Sequence, residues 1–232
     1  MLNGRVMNSA VIVAAGKGKR MGEGDKLFLS VRGEPVIAHS WRRFDMAPGV
    51  DEIVLVIREE RRQEFAEVAN LINPAKPYRF VWGGAERQDS VWNGVTATDA
   101  DSSLVAIHDG ARPCVSQATI ADCLSVAGKV GASVAASKVA DTLKSATDTQ
   151  MVDKNVDRSR LWAVQTPQVF RRDIILKAMS YVRENGLQVT DDTAACECIG
   201  QSVALVASAT PNPKVTVPAD LPFVEWMLSQ GV

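Results

Sequence analysis

The chain has little of what a covalent or metallic framework would require. Its 232 residues include four cysteines and two histidines. Cys114, Cys123, Cys196 and Cys198 form no Cys-x-x-Cys pair, and His39 and His108 lie far from them in sequence. This spacing excludes a zinc ribbon and offers no disulfide framework, so the thiols are expected to be reduced and buried as small hydrophobes. Nor is there an excess of one charge. Lys and Arg number 26 against 27 Asp and Glu, a formal net charge of -1, which argues against a general nucleic-acid or membrane-surface binder. No apolar run approaches the length of a bilayer crossing, and Met1 to Asn8 lacks the apolar core of a signal peptide; a cytoplasmic protein is expected. Internal repeats, low-complexity tracts and linkers are missing too.

What is present is apolar content and a regular rhythm. A chain that is 46% hydrophobic can bury roughly 70% or more of its unfolded surface as one sizeable domain over 1–232. Strand-like runs at Ala10 to Ala15, Glu52 to Arg58, Tyr78 to Trp82, Leu104 to His108, Ser133 to Ala136 and Ser202 to Ala207 are separated by helical patterns at Pro35 to Phe44, Glu59 to Leu71, Arg87 to Thr98, Gln117 to Val130, Arg171 to Glu184 and Asp191 to Ile199, with Ala219 to Leu228 closing the chain. This alternation predicts an α/β fold with a mainly parallel, Rossmann-like sheet and helices on both faces. Ligands of such sheets bind beyond the carboxyl ends of the strands. One stretch, 138–160, breaks the rhythm: Val139 to Lys144 and Gln150 to Val156 alternate about a Ser-Ala-Thr-Asp-Thr turn and predict a protruding β-hairpin arm. An isolated two-stranded ribbon is marginal in water, so a partner subunit is expected to support it.

The first strand runs into Gly16-Lys17-Gly18-Lys19-Arg20-Met21-Gly22-Glu23-Gly24-Asp25-Lys26. The glycines allow close backbone approach to a ligand, and the four cations suit a polyphosphate better than a plain turn. The loop matches neither the Walker pattern, because Arg20 follows Gly18-Lys19, nor the dinucleotide pattern, because Met21 stands at its third glycine. Gly83-Gly84-Ala85-Glu86-Arg87 follows the third strand, and His108-Asp109-Gly110-Ala111-Arg112-Pro113 follows the fourth. Asp109 could be a simple turn cap; its place beside Arg112 and the first loop favours a shared crevice. His108 is expected to be structural. Trp41, Trp82, Trp92, Trp162 and Trp226 are expected to pack rather than stack on a base.

These segments together carry a resemblance. Ala14-Ala15-Gly16-x-Gly18-x-Arg20-Met21, Gly83-Gly84-x-x-Arg87-x-x-Ser90-Val91, His108-Asp109-x-Ala111-Arg112-Pro113, Asp141-Thr142, Val156-Asp157-Arg158, Gln165-Thr166-Pro167-Gln168, Thr190-Asp191 and Lys214-Val215-Thr216 occur in that order. In this the chain resembles the 2-C-methyl-D-erythritol 4-phosphate cytidylyltransferases of the non-mevalonate isoprenoid pathway, a family of the nucleotide-diphospho-sugar transferase fold group. It departs from that family at Asp25-Lys26, where Pro-Lys is usual, and at Gly110, where alanine is usual; Met-Gly-x-x-Asp-Lys is also similar to the guanylyltransferases of molybdenum cofactor.

The resemblance implies transfer of CMP from CTP to a polyol phosphate, with release of pyrophosphate. It implies catalytic roles for Arg20, Lys26 and Lys214, and nucleotide binding by Ala14, Ala15, Gly16, Lys17, Gly18, Gly83, Gly84, Ala85, Ser90 and Asp109. Methylerythritol phosphate would meet Asp109, Arg112, Thr166, Thr190 and Lys214, with Thr142 and Arg158 reaching across from the arm of a second subunit in a homodimer. Mg²⁺ would be held mainly by the CTP phosphates, with no metal site of protein side chains. Ribitol 5-phosphate as acceptor, or a non-catalytic nucleotide-binding protein on the same fold, are the alternatives.

Overall fold

The computed structural model describes residues 7–16 and 25–231. In chain order its elements are β1 (Met7–Val13), a short hairpin of β2 (Ser30–Val31) and β3 (Glu34–Pro35), α1 (Val36–Asp45), β4 (Glu52–Ile57), α2 (Arg62–Ile72), β5 (Tyr78–Trp82), α3 (Arg87–Thr96), β6 (Ser102–Asp109), α4 (Gln117–Val130), β7 (Ala132–Lys138), β8 (Leu143–Ala146), β9 (Val152–Val156), β10 (Trp162–Arg171), α5 (Arg172–Glu184), α6 (Asp192–Cys198), β11 (Ala204–Ala207) and α7 (Leu221–Ser229). Most expected elements form, with boundaries moved by a few residues.

The main sheet has seven strands in the order β11-β7-β10-β6-β1-β4-β5. β4 is buried along its whole length, as a strand covered on both faces must be. Its alternate side chains serve different cores: Ile53, Leu55 and Ile57 meet Trp41, Phe44 and Phe65 on one face, while Val54 and Val56 meet Val91, Val95 and Met179 on the other. Helix ends are set by local chemistry. Ser116 caps α4 by accepting the Thr119 N–H at 3.1 Å, and Gly131, at φ 97°, closes it in a conformation that favours glycine.

Neighbouring strands run parallel except around β10, which is antiparallel to both β6 and β7. The chain leaves β7 at the carboxyl edge, makes the ribbon, and re-enters without a crossover helix, so its next strand runs back down the sheet. The ribbon is present as β8 paired with β9, but its turn lies later than expected. Thr147 N–H donates to Met151 O at 2.9 Å and Gln150 takes φ 62°, so Gln150 belongs to the turn and not to a strand.

Other expectations need correction. Cys198 is exposed, unlike the other three cysteines, because it falls on the outer side of the last turn of α6. Trp226 is 58% exposed and stacks on Phe223, and Trp82 is 40% exposed at the end of an edge strand; neither is core packing. Among the described residues no helix is long and apolar enough to cross a membrane.

Candidate active site

The parallel strands β1, β4, β5 and β6 all end at one edge, and their following residues interlock there. The ladder continues past the strands: Ala14 N–H donates to Val56 O at 2.8 Å, Gly83 N–H to Ile57 O at 2.9 Å, and Gly110 N–H to Val13 O at 3.0 Å. Gly83 packs so closely on the first loop that a Cβ there would lie 2.3 Å from the Ala15 Cβ. A side chain at position 83 would therefore force the two loops apart. The Ser90 hydroxyl accepts the Gly84 N–H at 3.0 Å and donates to Glu86 O at 3.2 Å. It braces the loop from within.

Asp109, the last residue of β6, collects the charges of this edge. Lys214 Nζ donates to Asp109 Oδ2 at 2.6 Å, and Arg87 Nη2 lies 3.6 Å from Oδ1. Arg112 Nε is 4.0 Å from Oδ2. Burial pushes the Asp109 carboxyl up, but Lys214, Arg87 and Arg112 together outweigh it and hold the group at about 2. It is a carboxylate at any working pH, and its contact holds the Lys214 ammonium at the crevice.

The Asp109 backbone is anchored from behind. The Thr166 hydroxyl accepts the Asp109 N–H at 3.1 Å and lies 3.0 Å from His108 Nδ1. His108 Nε2 lies 3.1 Å from Arg112 O. A carbonyl can only accept, so Nε2 carries the proton and Thr166 donates to Nδ1. Burial lowers the His108 pKa to about 4. The ring is neutral, wholly buried, and structural, as expected.

Three cavities are lined by these groups and loops. One of about 160 Å³ is walled by Ala14, Gly16, Lys26, Arg87, Asp109 and Lys214. A second, of about 280 Å³, lies among Ala15, Arg58, Trp82, Gly83 and Gly84. The largest, about 560 Å³, runs from Arg112 past Gln165 and Ser208 to Asn212. Lys26 and Lys214 thus line the same cavity although they are far apart in sequence. Lys17, Gly18 and Arg20 lie outside the described residues.

The other expected residues divide. Thr166 is buried behind Asp109 and Arg112 donates to Asn212 O at 2.7 Å. Ala85 and Thr190 are exposed and line none of the three cavities. Thr142 and Arg158 are exposed at the root of the ribbon, where Leu143 pairs with Val156, and line none of the three cavities.

Sequence reasoning assigned no role to Arg87, Gln168 or Asp192, which brace the site. Arg87 makes a bidentate pair with Asp192 at 2.9 Å for both bonds. Burial would lower the Arg87 pKa, but Asp192, Asp109 and Asp191 raise it. Gln168 donates to Asp191 Oδ2 and accepts the Asp192 and Thr193 N–H groups. The signal for Arg87 was its place three residues beyond Gly84. The acidic doublet that it meets lies too distant in sequence for spacing to reveal the pair.

Among the described residues no group of three or more His, Cys, Asp or Glu is arranged to hold a metal ion. The crevice carboxylate, Asp109, already accepts from Lys214.

A mainly parallel sheet ending in a glycine-lined crevice, with two lysines in the lining of one cavity and a carboxylate that orients one of them, defines an α/β protein built to handle a nucleotide's phosphates. Residues 8–230 match the family described as IspD: 2-C-methyl-D-erythritol 4-phosphate cytidylyltransferase, and the chain belongs to that family. It is 42% identical over 223 residues to the 2-C-methyl-D-erythritol 4-phosphate cytidylyltransferase of Bacillus cereus, covering 96% of this chain and 98% of the relative. With that of Dehalococcoides mccartyi it shares 41% identity over 222 residues, 96% of each chain. The fold is similar to that of the 4-diphosphocytidyl-2C-methyl-D-erythritol synthase of Anaerococcus prevotii, with a TM-score of 0.85 at 29% identity, covering 97% of this chain and 96% of that one. For the cytidylyltransferase of Thermus thermophilus the TM-score is 0.77 at 29% identity, covering 97% and 100%.

Proposed function

We propose that the chain transfers CMP from CTP to the phosphate of 2-C-methyl-D-erythritol 4-phosphate, giving 4-diphosphocytidyl-2-C-methyl-D-erythritol and pyrophosphate. The observation that carries this reading is the convergence of Lys26, Arg87 and Lys214 around Asp109 in one small cavity beyond the glycine-rich loop. The acceptor phosphate has its second pKa near 6, so it arrives largely ionised and needs no general base. The protein's task is to hold two anions in line and stabilise the charge that grows on the α-phosphate and the leaving diphosphate. Lys26 and Lys214, which line one cavity, meet the α-phosphate from opposite sides, with Arg20 completing the set. Ala14, Ala15, Gly16, Lys17 and Gly18 enclose the remaining phosphates. Asp109 keeps Lys214 in place before the nucleotide arrives.

The base lies toward Gly83, Gly84 and Ala85, in a turn held by Ser90, where a backbone acceptor facing the exocyclic amine selects cytosine over uracil. The polyol phosphate lies near Arg112, Thr166 and Thr190. Mg²⁺ would be held by the triphosphate oxygens rather than by protein side chains, as suits a hard ion that prefers substrate phosphates to a protein cage, and would supply charge neutralisation there. The ribbon crosses to a second subunit, so that Thr142 and Arg158 complete the neighbour's acceptor site. Support for this comes from Met151 and Val152, apolar yet each 67% exposed on the ribbon. A need for CTP suits the cytoplasm as the site of the reaction.

Pyrophosphate release from CTP, measured with methylerythritol phosphate and with ribitol 5-phosphate, tests the reading. Turnover selective for the first is expected. Selectivity for ribitol 5-phosphate reassigns the acceptor, and no release with either makes the chain a binding protein.

A further inference from the structure

Lys26 opens a single 3₁₀ turn, Lys26–Phe28, and is preceded by its cap, Asp25. The Asp25 side chain is only 6% exposed. One carboxylate oxygen accepts the Leu27 N–H at 3.1 Å. The other accepts from Arg58 Nη2 at 2.5 Å and lies 3.7 Å from Arg61 Nη1. Arg58 follows β4 and lines the cavity beside Gly83. Arg61 precedes α2 and sits over the Phe28 ring, 4.4 Å from its centroid; Phe28 in turn meets Phe65 edge-on at 5.1 Å. The turn is thus gripped at both ends by groups from the β4–α2 connection. Capping alone needs one acceptor atom, which asparagine supplies as well as aspartate. A carboxylate enclosed by two guanidinium groups goes beyond capping, since it fixes the turn against a rigid strand end.

We propose that Asp25, clamped by Arg58 and Arg61, is a positioning residue that fixes Lys26 at the phosphate cavity. This rests on the proposed role of Lys26 in catalysis. Arg58 also borders a cavity that the nucleotide would use, so its replacement mixes two effects and Asp25 is the cleaner probe.

The test measures kcat, both KM values and the thermal midpoint for Asp25→Ala and Asp25→Asn, each alone and combined with Lys26→Ala. Asp25→Ala is expected to lower kcat about 10-fold or more, the scale of a misplaced reacting group, with both KM values within about 2-fold of wild type. Asp25→Asn, which keeps the cap, is expected to lose less. In the Lys26→Ala background both losses should vanish, because the clamp then has nothing to position. Should Asp25→Ala fail to fold, Asp25→Asn carries the same comparison. Unchanged turnover of a folded Asp25→Ala, or a loss just as large without Lys26, overturns the clamp alone. Full turnover of Lys26→Ala instead removes Lys26 from catalysis, and the clamp's purpose with it.

Discussion

Lys214 and Asp109 are in contact at 2.6 Å, so the protein's own carboxylate sets the position of the lysine. Removing it deletes one cation from the growing charge: Lys214→Ala is expected to lower kcat by about 10² or more, read from steady-state pyrophosphate release. His108 makes a separate, pH-dependent contribution. Its pKa falls from 6.5 when exposed to about 4 when buried. The unfolded chain therefore binds a proton that the folded chain refuses, and stability present above about pH 6.5 is lost as pH falls toward 4. The loss is on the order of 3 kcal/mol at the lower limit. Denaturant midpoints for wild type and His108→Asn should draw together across that window; parallel curves would show that His108 does not titrate as described. At this scale the residues on the glycine-rich and charged loops were legible because each loop follows a strand. Arg87 with Asp192 was not, since pairing across 105 positions leaves no local mark.

Helix α3 lies directly on the sheet through Gly94, where a Cβ would come within 2.5 Å of Val11 Cγ1 and 2.6 Å of Val56 Cγ2. Alanine at a helix interior normally gains about 1 kcal/mol over glycine, but overpacking costs about 1–3 kcal/mol. Gly94→Ala should therefore be destabilising, seen as a lower urea midpoint, and a stabilised variant would mean the interface is looser than these distances. The ribbon of β8 and β9 offers a functional counterpart. Arg158→Ala is expected to raise KM for the polyol phosphate while leaving CTP binding unchanged, and equal weakening of both would detach the ribbon from the acceptor site. Alternating side chains made the ribbon readable, whereas its turn was misplaced because Gln150 adopts a positive φ that its identity does not advertise.

The order of strands and helices was legible because a sheet covered on both faces demands long apolar runs at regular spacing. The reversed direction of β10 was hidden, since an apolar run has no polarity of its own; only the absence of a helix between β7 and β10 hinted at it. The balanced overall charge is equally informative, because it leaves the cations of the crevice as a local concentration on a neutral surface. If the ribbon with its exposed Met151 and Val152 serves a second copy as proposed, sedimentation at micromolar concentration is expected to show a dimer; a fully active monomer would leave the ribbon without its role. The central claim is that Arg20, Lys26 and Lys214 gather over the innermost phosphorus of the nucleotide. A crystal structure with CTP bound measures this directly: all three should contact the triphosphate, with Lys26 and Lys214 on opposite sides of the α-phosphate, and a triphosphate bound away from them would contradict the account.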